Sequence, residues 1–377
     1  MKQVKSFNNC MIIAGVVFVF TVLWNVCYAE DTGKSPSSPE IYTQWEAFGR
    51  YVSGISVEMI EKAGAQLEKE NLIVLTNAGY AEVKGMATQA ALDGISGTTG
   101  VTRGKNTLVE IHSAPWAPLW FAVYDKASGF CAYLETDGAK AAEQPGISGK
   151  ISGDVFSVKS VERIDAAYLY KHSEAFEKKL AGRVFGNNTF RVVSIANAVA
   201  ENAPAYVVRA FEFHDHFCPG VISGIFMAEY VKKHFSPENS NFFVHSVQPW
   251  CKEDALMVLL NATPGKRGYA LSYPLEADLA QRVPEVRNAA TIVYRQDRKT
   301  RIWEGKILAF EWADQPCLKV HKGLLGKLCA DLWYLQHMQT PETFVKVLKT
   351  FTLPEGVAPK DWAAPGIDPL KKLGLLR

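Results

Sequence analysis

The sequence has no surplus of either charge: 41 Lys and Arg stand against 39 Asp and Glu in 377 residues. It offers no basic footprint, so no nucleic-acid partner is expected. None of its 7 cysteines forms a Cys-x-x-Cys pair, so no zinc finger is expected. It also lacks the composition of a disordered or collagen-like chain, because 48% of the residues are hydrophobic and 21% charged. What remains is an ordinary folded chain with room for two domains.

The N-terminus carries the one long apolar run. Lys2 and Lys5 precede the charge-free stretch Cys10 to Trp24, and Cys27-Tyr28-Ala29 follows. A basic lead, an apolar run shorter than the roughly 20 residues of a membrane span, and small residues at the end make a secretory signal peptide. Cleavage after Ala29 is expected, with an uncleaved membrane anchor as the alternative reading. Cleavage leaves no membrane span and an exported protein, periplasmic or extracellular. Trp24-Asn25-Val26 is a poor lead for lipidation at Cys27. Residues 30–40 (EDTGKSPSSPE) read as a polar linker.

Without residues 1–29, five cysteines remain: Cys131, Cys218, Cys251, Cys317 and Cys329. The number is odd, so at least one thiol has no intramolecular partner. In an exported protein such a thiol is a metal ligand, a reactive group or a buried apolar residue. The spacing of Cys317 and Cys329 permits a disulfide that helical placement could forbid. Cys131 reads as a buried residue of a hairpin strand, and His245 as a histidine at the surface end of a strand.

The rest of the chain reads as two α+β halves on one plan. Val52-Ser53-Gly54-Ile55 opens a helical run, Ser56 to Glu70, and Ile222-Ser223-Gly224-Ile225 lies in a second run, Val221 to Phe235. Gly54 and Gly224 are 170 residues apart, as are Tyr124 and Tyr294 in two later hairpins. Each helical run precedes an apolar strand, Leu72 to Leu75 and Phe242 to Val244, and then a Thr/Gly-rich turn. These turns are Gly97-Thr98-Thr99-Gly100, continuing to Arg103-Gly104-Lys105, and Ala262-Thr263-Pro264-Gly265-Lys266-Arg267-Gly268. Repeated order at a repeated spacing points to an internal duplication. Each lobe is expected to pack helices on a mainly antiparallel sheet. A boundary falls near Ala196 to Ala205, and the Pro-punctuated tail 351–377 is expected to wrap the surface.

Two segments carry chemistry. Phe213-His214-Asp215-His216-Phe217-Cys218-Pro219-Gly220 holds two imidazoles and a thiol, and Pro219-Gly220 leads into an amphipathic helix. Proline suits the first helical turn, so Cys218 falls at a helix N-terminus, where the dipole favours a thiolate. Trp250-Cys251-Lys252-Glu253-Asp254-Ala255 opens another helix with Cys251 at its start. His216, Cys218 and Cys251 make a borderline-soft donor set for a transition metal such as zinc, with one position open. His214 and Asp254 are candidates for general acid-base work. Thr263 and Lys266 are candidates for holding an anionic small molecule, against the plainer reading of a solvated turn.

These motifs resemble the FmdE family, which takes its name from a component of formylmethanofuran dehydrogenase. The family pattern His-x-His-x-Cys-Pro-Gly is matched by His214 to Gly220, Cys-x-x-Asp-Ala by Cys251 to Ala255, and Thr-x-Gly-Lys by Thr263 to Lys266. The resemblance covers Ala205 to Leu308. It implies an α+β core whose cleft carries the His/Cys group and binds a metal ion. The chain would then be a degenerate FmdE-like domain, 41–200, followed by a complete one, 201–350. In the first, Gly49-Arg50-Tyr51-Val52 stands where the His/Cys segment is expected and Ala81-Glu82-Val83 near the second cysteine. Three functions follow as expectations: an exported metal-binding protein, a metal- or thiol-dependent envelope enzyme using Cys218 and His214, or a module delivering a metal or metal complex to a transporter. The partners expected are a metal ion and a small molecule, with room left for a homodimer.

Overall fold

The computed structural model describes residues 39–142, 155–235 and 240–377. The signal segment and the linker up to residue 38 lie outside the described residues. No described helix is long and apolar enough to cross a membrane.

The first half begins with the helix Pro39–Lys62, not with a run from Ser56. Ile41, Trp45, Phe48 and Val52 recur at helical spacing and bury one face, so the helix starts well before the glycine-containing stretch expected to open it. Then come β1 (Leu72–Thr76), a hairpin of β2 (Glu82–Val83) and β3 (Met86–Ala87), and the helix Ala91–Thr99. β4 (Leu108–Glu110), β5 (Trp120–Asp125), β6 (Phe130–Thr136) and β7 (Phe156–Arg163) follow. The second half contributes β8 (Ser240–Ser246), β9 (Tyr269–Leu271), β10 (Thr291–Asp297), β11 (Trp303–Phe310) and β12 (Val345–Thr352).

The protein is an α+β fold with two lobes, each built on a five-stranded sheet, and the two sheets share one topology. Their orders are β4-β1-β5-β6-β7 and β9-β8-β10-β11-β12. In each, the first two strands are parallel and every other pair is antiparallel. The sheets are mixed but mainly antiparallel. Ile73 pairs with Tyr124, and Phe243 pairs with Tyr294. The spacing of 170 residues therefore joins equivalent register positions in β1 and β8 as well as in β5 and β10.

Elsewhere the sequence alignment of the halves is shifted. A Cβ on Gly49 would meet the Ala91 carbonyl oxygen at 2.1 Å, and one on Gly224 would meet that of Lys252 at 2.3 Å. These two glycines make the same close approach to the first residue of a following helix. Gly54 is exposed and has nothing within 4 Å of such a Cβ, so its match to Gly224 is not structural. In the first half the equivalent turn is the expected continuation through Arg103-Gly104-Lys105, not Gly97 to Gly100, which end the helix Ala91–Thr99. Thr102-Arg103-Gly104-Lys105 forms a 3-10 turn closed by left-handed Asn106, as Thr263 to Lys266 does with left-handed Arg267. Each turn feeds the parallel edge strand, β4 or β9. The residue that starts the second helix is Ala90 in one half and Cys251 in the other, so Ala81 to Val83 is not the matching stretch.

Alternating residues of the strands feed different cores. Ile73, Leu75, Ala122, Tyr124 and Tyr133 face a central helical layer, while Val74, Phe121, Val123 and Leu134 face helices Pro39–Lys62 and Ala91–Thr99. Val244, Val293 and Leu308 close the same central layer from the second sheet. That layer contains helices Thr189–Ala200, Ala205–His214, Pro219–His234 and Gly323–Leu335. Each fully buried Val, Leu, Ile or Phe contributes about 1.5–3 kcal/mol. The functional loops therefore hang from a helix layer clamped between two sheets.

The stretch Ala196 to Ala205 is the buried end of one helix and the turn to the next. The tail does more than wrap: Leu353, Trp362, Leu370 and Leu375 pack on the outer face of the second sheet with Phe243, Ile292 and Tyr294. His245 is buried in β8 with Nε2 2.8 Å from Ser272 Oγ, not at the surface, because its strand is covered on both sides. Cys131 is fully buried, and burial pushes its thiol up. Cys317 and Cys329 are joined as a disulfide that ties the helix Pro316–Val320 to Gly323–Leu335.

Candidate metal centre

Three helix ends meet at one place. Helix Ala205–His214 ends on His214, helix Pro219–His234 starts after Cys218, and helix Lys252–Leu259 starts after Cys251. Pro219 occupies the first helical position, where its missing N–H costs nothing. Asp215 sits at φ 73°, in the left-handed region that favours glycine or asparagine. That residue reverses the chain between the helices, and it brings the His214 and His216 rings to 4.5 Å. An extended strand is thus not what places the two imidazoles on one side; a helix C-terminal turn does.

The turn is held from outside. Arg191 donates from Nη2 to Asp215 Oδ2 at 2.6 Å and from Nε to the Asp215 carbonyl at 3.0 Å. Ser194 Oγ accepts from the Phe217 amide at 3.2 Å. Asp215 Oδ1 lies 2.7 Å from His216 Nδ1, and Asp254 Oδ2 lies 2.7 Å from His214 Nδ1. With each Nδ1–H donating to a carboxylate, the Nε2 atoms are the ones left for a metal ion, His214 giving up its second proton when one binds. Carboxylates behind metal-binding imidazoles hold them in this way.

His214 Nε2 is 3.6 Å from Cys218 Sγ. His214, His216 and Cys218 present donor atoms that all lie within 4.8 Å of one another, a group able to hold a metal ion. Cys251 lies beside Cys218 and His214, close enough to shift the titration of His214 and its own, but the three-residue donor group does not include it. Gly220 makes room for it: a Cβ there would lie 2.6 Å from Cys251 Cβ and 3.0 Å from its Sγ. The loop before Cys251 is pinned by buried Glu253, which accepts from Ser246 Oγ at 2.6 Å and also pairs with Lys252 and the Tyr269 hydroxyl.

The charges on the group follow from these bonds. Burial opposes protonation of His214, but its hydrogen bonds to Asp254 and Cys251 override it and push it up to about 9. Cys251 is drawn down to about 4 by the hydrogen bond from Cys218 and then by that to His214. Cys218 is pushed up by its bond to Cys251 and by burial. Burial raises Asp215, but His216 and Arg191 together hold it below its ordinary value. Without metal, near neutral pH, Cys251 is held as a thiolate, Cys218 as a thiol and His214 as an imidazolium.

A pH titration of metal-free protein checks this. The thiolate absorbance near 240 nm is expected to persist as pH falls below the usual thiol range and to disappear only as pH falls through about 4. Cys251 has a depressed value, so its contribution to stability is present above 9.0 and is lost as pH falls through about 4. His214 has a raised value, so its contribution is full below 6.5 and is lost as pH rises through about 9. A thiolate band that is already gone near pH 7 would contradict the hydrogen-bonded pair.

The sequence candidates are placed as follows. Of the expected ligands His216, Cys218 and Cys251, the first two make up the donor group together with His214; Asp254 touches it through His214, and Cys251 packs beside it at Gly220. Thr263 and Lys266 lie in the turn before β9, where Lys266 bonds Asn261, and neither makes a hydrogen bond or ion pair to the His/Cys group among the described residues. Sequence reasoning misses Asp215, Arg191, Gly220 and Glu253 as parts of the site. The position of Asp215 between two histidines is the one signal that could have found any of them.

The first half reaches the site through its loops. The His112 ring stacks on Phe213 at 5.1 Å, with Tyr80 edge-on to it at 4.9 Å, and Arg103 bridges Glu110 and Glu212 at 2.8 and 3.2 Å. A cavity of about 260 Å3 between Asn77, His112, Glu135, Arg191 and Asp215 borders the group on this side.

Comparison with known protein families gives one match. Residues 213–303 fit the family model described as FmdE, Molybdenum formylmethanofuran dehydrogenase operon. No curated protein matches the chain. The matched segment contains both imidazoles, both cysteines and Asp254, so the part of the chain that builds this site is similar to the FmdE family.

Proposed function

We propose that this protein is an exported transition-metal-binding protein of the FmdE kind, with a zinc-like ion held by His214, His216, Cys218 and Cys251. The observation that carries the reading is the pair of imidazoles whose Nδ1 atoms are each fixed by a carboxylate, with His214 Nε2 3.6 Å from Cys218 Sγ. The donor set fits such an ion: two nitrogens and two sulfurs suit tetrahedral, borderline-soft coordination. Bound there, the ion would act as a Lewis acid on a small molecule only where one of the four protein donors gave up its position. The protein's own part is to orient both rings, through Asp254 and through Arg191 and Asp215, and to hold a thiolate ready at a helix start.

Export rests on the N-terminal segment, and the Cys317–Cys329 disulfide accords with an oxidising compartment. We read the first half as a degenerate copy of the second, supported by the shared strand order, and without ligands because Ala90 stands where Cys251 stands.

A second reading has its own support. Asp254, His214 and a thiolate make the relay of a thiol-dependent enzyme, with Cys251 as nucleophile in place of Cys218. Metal analysis and alkylation separate the two. The metal reading expects one equivalent of transition metal per chain, and thiols that alkylate only after chelation. Rapid alkylation of protein as isolated, with no metal in it, favours the enzyme. Weak, exchangeable metal would point instead to a delivery role.

A further inference from the structure

We propose that the cavity between Trp250 and Trp312 binds a planar conjugated ring system, a site separate from the His/Cys group. The cavity measures about 390 Å3, within the range of about 300–1,000 Å3 usual for small-molecule sites. Trp250 is 57% exposed and Trp312 49%. Indole rings are among the largest apolar groups a fold can bury, and here two of them line one concavity uncovered. Their centroids are 6.1 Å apart and their planes meet at 70°. Phe310 supports Trp312 edge-on at 4.6 Å. The walls thus form an aromatic corner, and a flat ring laid on one indole meets the edge of the other. That offset-stacked and edge-to-face arrangement is the one aromatic quadrupoles favour.

The remaining walls set the polarity of the ligand. Met227 is fully buried and adds a polarisable thioether. Lys252 lines the cavity too, but its ammonium is bound to Glu253 and the Gln248 carbonyl, so it offers a ring no free charge. At the rim the side-chain amides of Gln248 and Asn288 are exposed and make no hydrogen bond among the described residues. A neutral ring system with hydrogen-bonding substituents at its edge matches these walls. The cavity abuts the His/Cys group: a Cβ on Gly220 would lie 3.5 Å from Trp250 Cδ2 and 3.0 Å from Cys251 Sγ. The proposal does not depend on a metal being bound there.

Calorimetric titration of the full chain tests it, using naphthalene-2-carboxamide and its saturated decahydro counterpart as probes. Saturable binding of the aromatic amide is expected, with the saturated one about tenfold weaker, and Trp312→Ala is expected to weaken the aromatic amide about tenfold. Trp312→Leu keeps apolar bulk without a π face and serves as the second variant should the alanine protein not fold. Protein stripped of metal with a chelator is expected to bind the probe as untreated protein does, so failure of the metal reading and failure of this one are distinguishable. No saturable binding, equal binding of the two probes, or unchanged binding by the Trp312 variants overturns the proposal.

Discussion

Cys218→Ser protein is expected to purify without the stoichiometric metal that the proposed function expects of the wild type. Serine keeps the volume of the side chain but replaces a soft, ionisable sulfur with an oxygen that does not ionise near neutral pH. Asp215→Asn and Asp254→Asn are expected to behave differently. Each leaves the four donors in place and weakens the hold on one Nδ1–H, which sits 2.7 Å from its carboxylate. Loss of such an orienting carboxylate costs about 10–100-fold in metal affinity. Competition with a chromophoric chelator should therefore rank the variants, with Cys218→Ser worst and the two Asn variants between it and the wild type. Equal affinity across all of them would mean that the ion sits elsewhere.

The second large effect is expected from Gly220→Ala. On helix propensity alone this change should help, since glycine costs about 1 kcal/mol against alanine in a helix interior. Packing reverses the sign. The new methyl would stand 2.6 Å from Cys251 Cβ, with 3.0 Å to its sulfur, so Cys251 and the start of its helix must move. Overpacking of this kind costs about 1–3 kcal/mol, and it falls on a donor of the site. Gly54→Ala is the matched control: it lies in the helix Pro39–Lys62, exposed, with nothing within 4 Å. Its substitution should raise the melting temperature, while Gly220→Ala lowers it and loses metal. Equal shifts in the two melts would show that propensity outweighs the contact.

Much of the scaffold is legible in the sequence because its signals are local. The β5–β6 and β10–β11 hairpins follow from apolar strands around short polar turns, and Pro219 marks a helix start. The start of the helix Pro39–Lys62 is harder to place because its first turn merges with a polar linker, although Ile41, Trp45, Phe48 and Val52 carry the period. The equivalence of Gly49 with Gly224 is hidden because what the two share is a steric approach to a second helix, while the neighbouring letters match at Gly54 instead. His245 reads as a surface histidine because neighbouring residues do not reveal that the tail covers the outer face of its sheet.

Residue type and proline position act within a few residues of chain. They are enough to establish which atoms can bind a metal and that both sulfurs stand at helix starts. That these atoms share one site is a matter of packing. His214 meets Asp254 and Asp215 meets Arg191 across 40 and 24 residues of sequence. The stacking of helices between two sheets sets those meetings, and with them which nitrogen of each ring is left open and which sulfur holds the charge. Local pattern carries no record of such distances, because they are fixed by the volumes of buried side chains distributed over the whole fold.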